Sequence, residues 1–196
     1  MRIFVGIDVD PDVRARIERF IEAVQGFAPE ARWVRSDSLH ITLKFIGEQA
    51  AERVEAISAG LRKIERSTFE IRLGAYGFFP TAKAPRVFWI GIQAGPQMAE
   101  LADTIDQGTA ELGIPREDRP YSPHLTLARA RGGSGSPKWR RDDKPNTVFR
   151  MLEERLAAMG DLDFGTMMAR EFVLYQSKLA PAGSKYSTLQ RLPLLA

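Results

Sequence analysis

The chain has two histidines, and both stand in the same tetrapeptide: His40-Ile41-Thr42-Leu43 and His124-Leu125-Thr126-Leu127. In an extended strand, side chains at i and i+2 share a face. Each histidine therefore lies beside its threonine, and the two aliphatic residues of each tetrapeptide face the other way. Each segment reads as a strand with one apolar side on a core and one imidazole–hydroxyl side toward something polar. The recurrence predicts two similar halves about a pseudo-twofold axis, with two equivalent strands lining one groove.

The rest of the chain supplies elements of the right kind. Residues 2–9 (RIFVGIDV) read as a buried strand, and Asp10-Pro11 opens a helix with Val13, Ile17, Phe20, Ile21 and Val24 at helical spacing. Strands are predicted at 31–34 and 39–46, the latter ended by Gly47, and a helix over roughly 50–64. Strands at 68–78 and 86–93 precede a helix from Pro96, whose apolar face is Met98, Leu101, Ile105 and Leu112. A strand spans 122–129. Residues 132–147 form a flexible basic loop, and a helix over 146–158 and strands near 162–166, 170–179 and 184–192 follow. Hairpins alternating with helices point to an α+β fold with mostly antiparallel sheets, not a parallel doubly wound one. No G-x-G-x-x-G or G-x-x-x-x-G-K-[ST] pattern occurs, which removes support for dinucleotide and P-loop readings.

Composition narrows the function. Without cysteine there is no disulfide, no thiolate zinc site and no cysteine nucleophile. Two histidines without a carboxylate or cysteine cluster give too few ligands for zinc, so neither a metal nor a cofactor is expected. No apolar run approaches the ~18 residues of a membrane span, and a soluble cytoplasmic protein is expected. The net charge is +3, and the basic residues Arg129, Arg131, Lys138, Arg140, Arg141 and Lys144 crowd behind the second histidine. That fits either ordinary surface balance or attraction to phosphate-bearing ligands.

A groove with two imidazoles and two hydroxyls suits phosphoester cleavage. Histidine titrates near neutral pH, with an unperturbed pKa of about 6.5. One imidazole takes a proton from the attacking oxygen while the other gives one to the leaving oxygen. The threonines donate to the non-bridging phosphate oxygens, where charge develops.

These residues resemble the signature of the 2H phosphoesterases, which carry two HxTx motifs. The chain is most similar to their bacterial and archaeal branch, the RNA 2′,3′-cyclic phosphodiesterases, once described as 2′-5′ RNA ligases. The resemblance extends through MRIFVGIDV, RWVRSDSLHITLKFIGE, PRVFWIG, YSPHLTLAR and LYQSKLAPAGSKYSTLQRLPL. It implies a single domain over 1–196 made of two intertwined lobes, each an antiparallel sheet with helices on its outer face, about a central cleft; hydrolysis of a 2′,3′-cyclic phosphate to a 2′-phosphate; and in some members reversible 2′-5′ joining of RNA ends. His40 and His124 match the catalytic histidines, and Thr42 and Thr126 their phosphate-binding partners. His124 is assigned to the water and His40 to the departing 3′ oxygen, and the near symmetry of the motifs leaves the exchange open. Arg129 stands where this branch commonly has a substrate-binding arginine. Strand parity alone turns residue 128 and not 129 to the groove, so Arg129 needs a bulge or a strand end. The implied partner is RNA with a 2′,3′-cyclic phosphate end, tRNA fragments and cyclic nucleotides included. A monomer is expected.

Weaker candidates surround the motifs. Lys44 shares parity with His40 and Thr42 and is read as a phosphate contact or a solvated strand end. Phe45 either stacks a base or packs in the core. Tyr121 frames the cleft or is structural, and Arg86 is a phosphate contact or a surface residue. Lys138, Arg140 and Arg141, with Trp139 between them, form either a clamp on RNA or a solvated loop. Two rival readings are a binding module that keeps the cleft without turnover and a nucleotide-assisted RNA ligase.

Overall fold

A computed structural model describes residues 1–81, 84–131, 146–180 and 183–196. Nine strands and four helices follow one another among these residues: β1 Arg2–Asp8, α1 Pro11–Val24, β2 Ala31–Trp33, β3 His40–Glu48, α2 Ala51–Leu61, β4 Phe69–Phe79, β5 Val87–Ala94, α3 Pro96–Glu111, β6 His124–Ala130, α4 Arg150–Met159, β7 Asp163–Ala169, β8 Glu171–Ala180 and β9 Gly183–Pro193. They build two sheets with every ladder antiparallel, ordered β3-β1-β8-β9 and β2-β6-β5-β4-β7.

The internal duplication is visible in the connections. One half runs β1-α1-β3-α2-β4 and the other β5-α3-β6-α4-β8. β1 and β5 are the equivalent central strands, each flanked by its histidine strand. The final strand of each half crosses to the other half's sheet, so β4 pairs with β5 and β8 with β1. The helices cross as well. α1 lies on the second sheet, where Phe20 packs edge-on against Phe164 and Arg16 donates 2.7 Å to the Phe164 carbonyl. α3 packs on β3 of the first sheet.

Burial explains the patterns. β1 is buried at its five inner residues, as a central strand between two neighbours should be. α1 buries Val13, Ile17, Phe20, Ile21 and Val24, the stripe set by its 3.6-residue period. α3 buries Met98, Leu101 and Ile105, and with them Asp106 and Thr109. Most apolar side chains join one core spanning both sheets. Phe4, Val173 and Tyr175 form a small second cluster with Tyr186 against it. That cluster borders the groove.

Several boundaries differ from the sequence reading. Gly47 does not end β3. It sits at φ 89° inside the strand, beside an irregularity where Ile3 pairs with Gly47 but Phe4 pairs with Phe45. Glycine tolerates this left-handed backbone, and the strand continues to Glu48. α4 begins at Arg150, not near 146, because Asn146 is occupied in a turn: its amide donates to the Pro85 carbonyl and its side-chain oxygen accepts from the Val148 N–H. Of the loop expected over 132–147, residues 132–145 lie outside the described residues, and Lys138, Trp139, Arg140, Arg141 and Lys144 with them. No described helix is long and apolar enough to cross a membrane.

Candidate active site

The histidines occupy matching places. His40 is the first residue of β3 and His124 the first of β6. β3 and β6 pack against one another, and the Tyr121 hydroxyl donates 3.0 Å to the Thr42 carbonyl between them. Each imidazole is held identically. Nδ1 of His40 lies 2.8 Å from the Ser38 carbonyl, and Nδ1 of His124 lies 2.9 Å from the Ser122 carbonyl. A carbonyl oxygen only accepts, so Nδ1 carries the hydrogen in both rings. In the neutral ring that leaves Nε2 as a proton acceptor.

Aromatic rings fix the imidazoles from the side. Phe4 and Tyr186 stand 4.6 and 4.8 Å from the His40 ring. Phe79 and Trp89 stand 5.1 and 6.3 Å from His124. Burial, the dominant cause, pushes the pKa of His40 down to about 4. Arg129 and His124 push the same way, while the Ser38 carbonyl and Asp8 oppose them. His124 is lowered too, again chiefly by burial and with Arg129 contributing. His40 thus senses both His124 and Arg129, which places all three in one electrostatic neighbourhood.

A bulge at the last residue of each motif decides which residues beyond it share the histidine face. Val5 pairs with Lys44 and Gly6 with Thr42, so Leu43 is the extra residue in β3. Phe88 pairs with Ala128 and Trp89 with Thr126, so Leu127 is the extra residue in β6. An extra residue reverses the alternation of faces beyond it. Lys44 and Ala128 therefore turn inward, and Phe45 and Arg129 turn out.

This corrects the placement of Lys44. It is 2% exposed, with Nζ 2.5 Å from Asp106 Oδ1 and 2.8 Å from the Pro115 carbonyl. It is not at the groove. Burial alone raises the pKa of Asp106, but hydrogen bonds from Lys44, Arg116 and the Glu117 N–H outweigh it and hold the carboxyl below its ordinary value. Phe45 is 46% exposed, with the Arg2 guanidinium 4.9 Å from its ring centre, and does not pack in the core. Arg129 is half-buried, its pKa lowered chiefly by burial and supported by the nearby phenol of Tyr186. Arg86 lies just before β5, its backbone tied to Phe79 and Ala130.

Sequence reasoning missed the supporting residues. Ser38 and Ser122 act through carbonyl oxygens, which any residue supplies, so no side-chain pattern marks them. Phe4, Tyr186, Phe79 and Trp89 come from neighbouring strands and carry no motif. Asp106 did leave a trace: it falls eight residues after Met98, on the same helical face as the apolar stripe. A hollow of about 200 Å³ opens beside His40, lined in part by Asp8, Arg14, Tyr186, Thr188 and Arg191. A larger one of about 460 Å³ lies between Arg72 and Gln97, and neither motif lines it. Among the described residues, no three His, Asp or Glu side chains group in a way that could hold a metal ion.

Comparison with known proteins meets this geometry at its most distinctive point. The family described as LigT like Phosphoesterase matches residues 7–89 and, separately, 90–186. The chain belongs to that family. Each match covers one histidine motif, as the duplicated LigT-like fold requires. The RNA 2′,3′-cyclic phosphodiesterase of Archaeoglobus fulgidus is 30% identical over 97% of this chain and 98% of its own length. A crystal structure of a phosphoesterase superposes with a TM-score of 0.75 at 27% identity, covering 100% of this chain and 98% of the other. The crystal structure of E. coli LigT complexed with 3′-AMP gives 0.73 at 28%, covering 98% and 97%.

Proposed function

We propose that this LigT-like protein is a hydrolase that opens RNA 2′,3′-cyclic phosphate ends to 2′-phosphates, with His40 and His124 as the acid–base pair. The observation that carries the reading is the twin setting of the imidazoles. Both tie Nδ1–H to the carbonyl two residues earlier and leave Nε2 for chemistry. Both have a half-buried threonine two residues on. In-line hydrolysis needs those parts: one Nε2 accepts a proton from water, and the other, protonated, donates to the oxygen that leaves. The Thr42 and Thr126 hydroxyls and the Arg129 guanidinium stabilise the charge that develops on the phosphate oxygens. Proton transfer of this kind contributes about 10²–10⁴-fold per group. The names of the curated relatives and the 3′-AMP held by E. coli LigT support the substrate class.

The reaction as proposed uses no metal. A short RNA ending in a 2′,3′-cyclic phosphate, incubated with the protein in chelator, gives a 2′-phosphate end. His40→Ala and His124→Ala each lower turnover about 10²-fold or more while the far-ultraviolet circular dichroism stays unchanged. A folded variant with near-full activity refutes the two-histidine mechanism, and activity abolished by chelator refutes its metal independence. Binding of the RNA without conversion supports the binding-module reading instead.

A further inference from the structure

Both imidazoles donate Nδ1–H to a carbonyl, but the two carbonyls are held differently. Ser38 ends a short 3-10 turn, Ser36–Ser38, in which the Leu39 N–H returns 3.3 Å to the Ser36 carbonyl, and Arg14 donates to that same carbonyl. Ser122 lies in the connection from α3 to β6. Among the described residues, no backbone–backbone hydrogen bond fixes residues 115–123. Residues 115–120 are exposed. Prolines at 115, 120 and 123 stiffen the segment: each fixes its own φ and biases the residue before it, Ser122 included, toward extended backbone. Stiffness alone does not decide where the segment sits.

Side chains at its two ends decide that. At the start, Lys44 Nζ donates 2.8 Å to the Pro115 carbonyl. Asp106, the buried partner of Lys44, accepts 3.2 Å from the Glu117 N–H. Arg116 reaches back to Asp106 and Asp103, at 2.9 Å each. At the end, the Tyr121 hydroxyl donates 3.0 Å to the Thr42 carbonyl. Burial raises the pKa of that phenol, so it stays protonated and a donor. Lys44 and Thr42 both belong to β3. The strand that begins with His40 therefore holds both ends of the segment that leads to His124.

We infer that residues 115–123 are a splint between the two motifs, and that Lys44, Asp106 and Tyr121 are positioning residues: by fixing the segment against β3 they hold the Ser122 carbonyl, and through it the tautomer and orientation of the His124 ring. The effect on turnover rests on the hydrolase reading above; the effect on the ring does not. The hydrogen on Nδ1 stays there because a fixed carbonyl accepts it, and the tautomer of an imidazole is set by that second bond. Once the Ser122 carbonyl is loosened, the hydrogen also populates Nε2, and a ring in that form no longer offers Nε2 as an acceptor. His40, whose carbonyl has its own turn and its own arginine, keeps its tautomer.

With two histidines in the chain, nitrogen-15 labelling of histidine gives two ring signals by magnetic resonance, assigned with His40→Ala and His124→Ala. At about pH 8 both rings are neutral, and in the wild type both should show the Nδ1–H form. Tyr121→Phe and Lys44→Met each release one end of the segment. Each should move His124 alone toward the Nε2–H form, and lower kcat about 10-fold with KM within about 2-fold of wild type. Leu156, buried in α4, lies on neither the segment nor β3. Leu156→Ala lowers stability through a cavity, and should leave both rings and kcat unchanged below its unfolding range. An unmoved His124 in both variants, movement of both rings together, or the same movement in Leu156→Ala overturns the splint. A shift of His124 with kcat unchanged supports the splint and contradicts the two-histidine mechanism instead.

Discussion

Replacing Lys44 by Met separates two accounts of one residue. Read by parity alone, Lys44 stands in the groove, and its loss weakens substrate binding while leaving stability almost untouched. In the structure it is a buried strut from β3 to Asp106 of α3 and to the carbonyl of Pro115, on the segment that leads to His124. Methionine keeps the length of the stem, so packing changes little. The charge is what disappears. Removing one partner of a buried ion pair costs about 3–5 kcal/mol. Asp106 keeps Arg116 Nε at 2.9 Å and the Glu117 N–H at 3.2 Å, which puts the expected loss at the lower end, about 3 kcal/mol. For a chain of this length each kcal/mol moves the midpoint by about 2–4 °C, so thermal unfolding at pH 7 should fall by about 6–12 °C. Lys44→Met with Asp106→Leu removes both charges and should recover part of that loss, because an apolar pair often replaces a buried ion pair at little cost. A Lys44→Met midpoint within about 2 °C of wild type, with a raised KM, refutes the strut.

The remaining predictions concern the groove. Because burial lowers both imidazoles, kcat/KM should be bell-shaped with both limbs below the ordinary 6.5 of imidazole, the two apparent values belonging to the histidine pair and one of them near pH 4; a plateau reaching past pH 8 contradicts this. The same shifts make the unfolded chain bind more protons than the folded one between about pH 6.5 and 4, so the midpoint of chemical denaturation should fall as pH drops through that window. On the proposed reaction the Arg129 guanidinium meets developing phosphate charge, so Arg129→Ala should cut kcat/KM about 10–100-fold without lowering the thermal midpoint by more than a few degrees; an unchanged kcat/KM excludes it from the site.

Much of this was legible in the sequence because it rests on local periodicity. The alternation in His-x-Thr-Leu assigned faces to His40, Thr42, His124 and Thr126, and the 3.6-residue spacing in α1 and α3 named their buried stripes. Phe45 and Lys44 were not legible. Their faces depend on the bulge at Leu43, and a bulge exists only relative to the partner strand that skips the extra residue. For Arg129 the sequence reading stated the need for a bulge or a strand end but could not locate it; the register of β6 against Trp89 and Phe88 puts it at Leu127.

The repeated tetrapeptide by itself determined that two equivalent strands exist, that each has an imidazole–hydroxyl face, and that acid–base chemistry on phosphate would suit such faces. Those are consequences of side-chain alternation and of the ionisation of imidazole, both properties of the chain alone. Only the tertiary structure decided that β4 and β8 exchange sheets, that Lys44 belongs to the core, and that glycine stands beside one motif where tryptophan stands beside the other. These depend on which strands are neighbours, and neighbours in a sheet are set by packing between segments far apart in the chain.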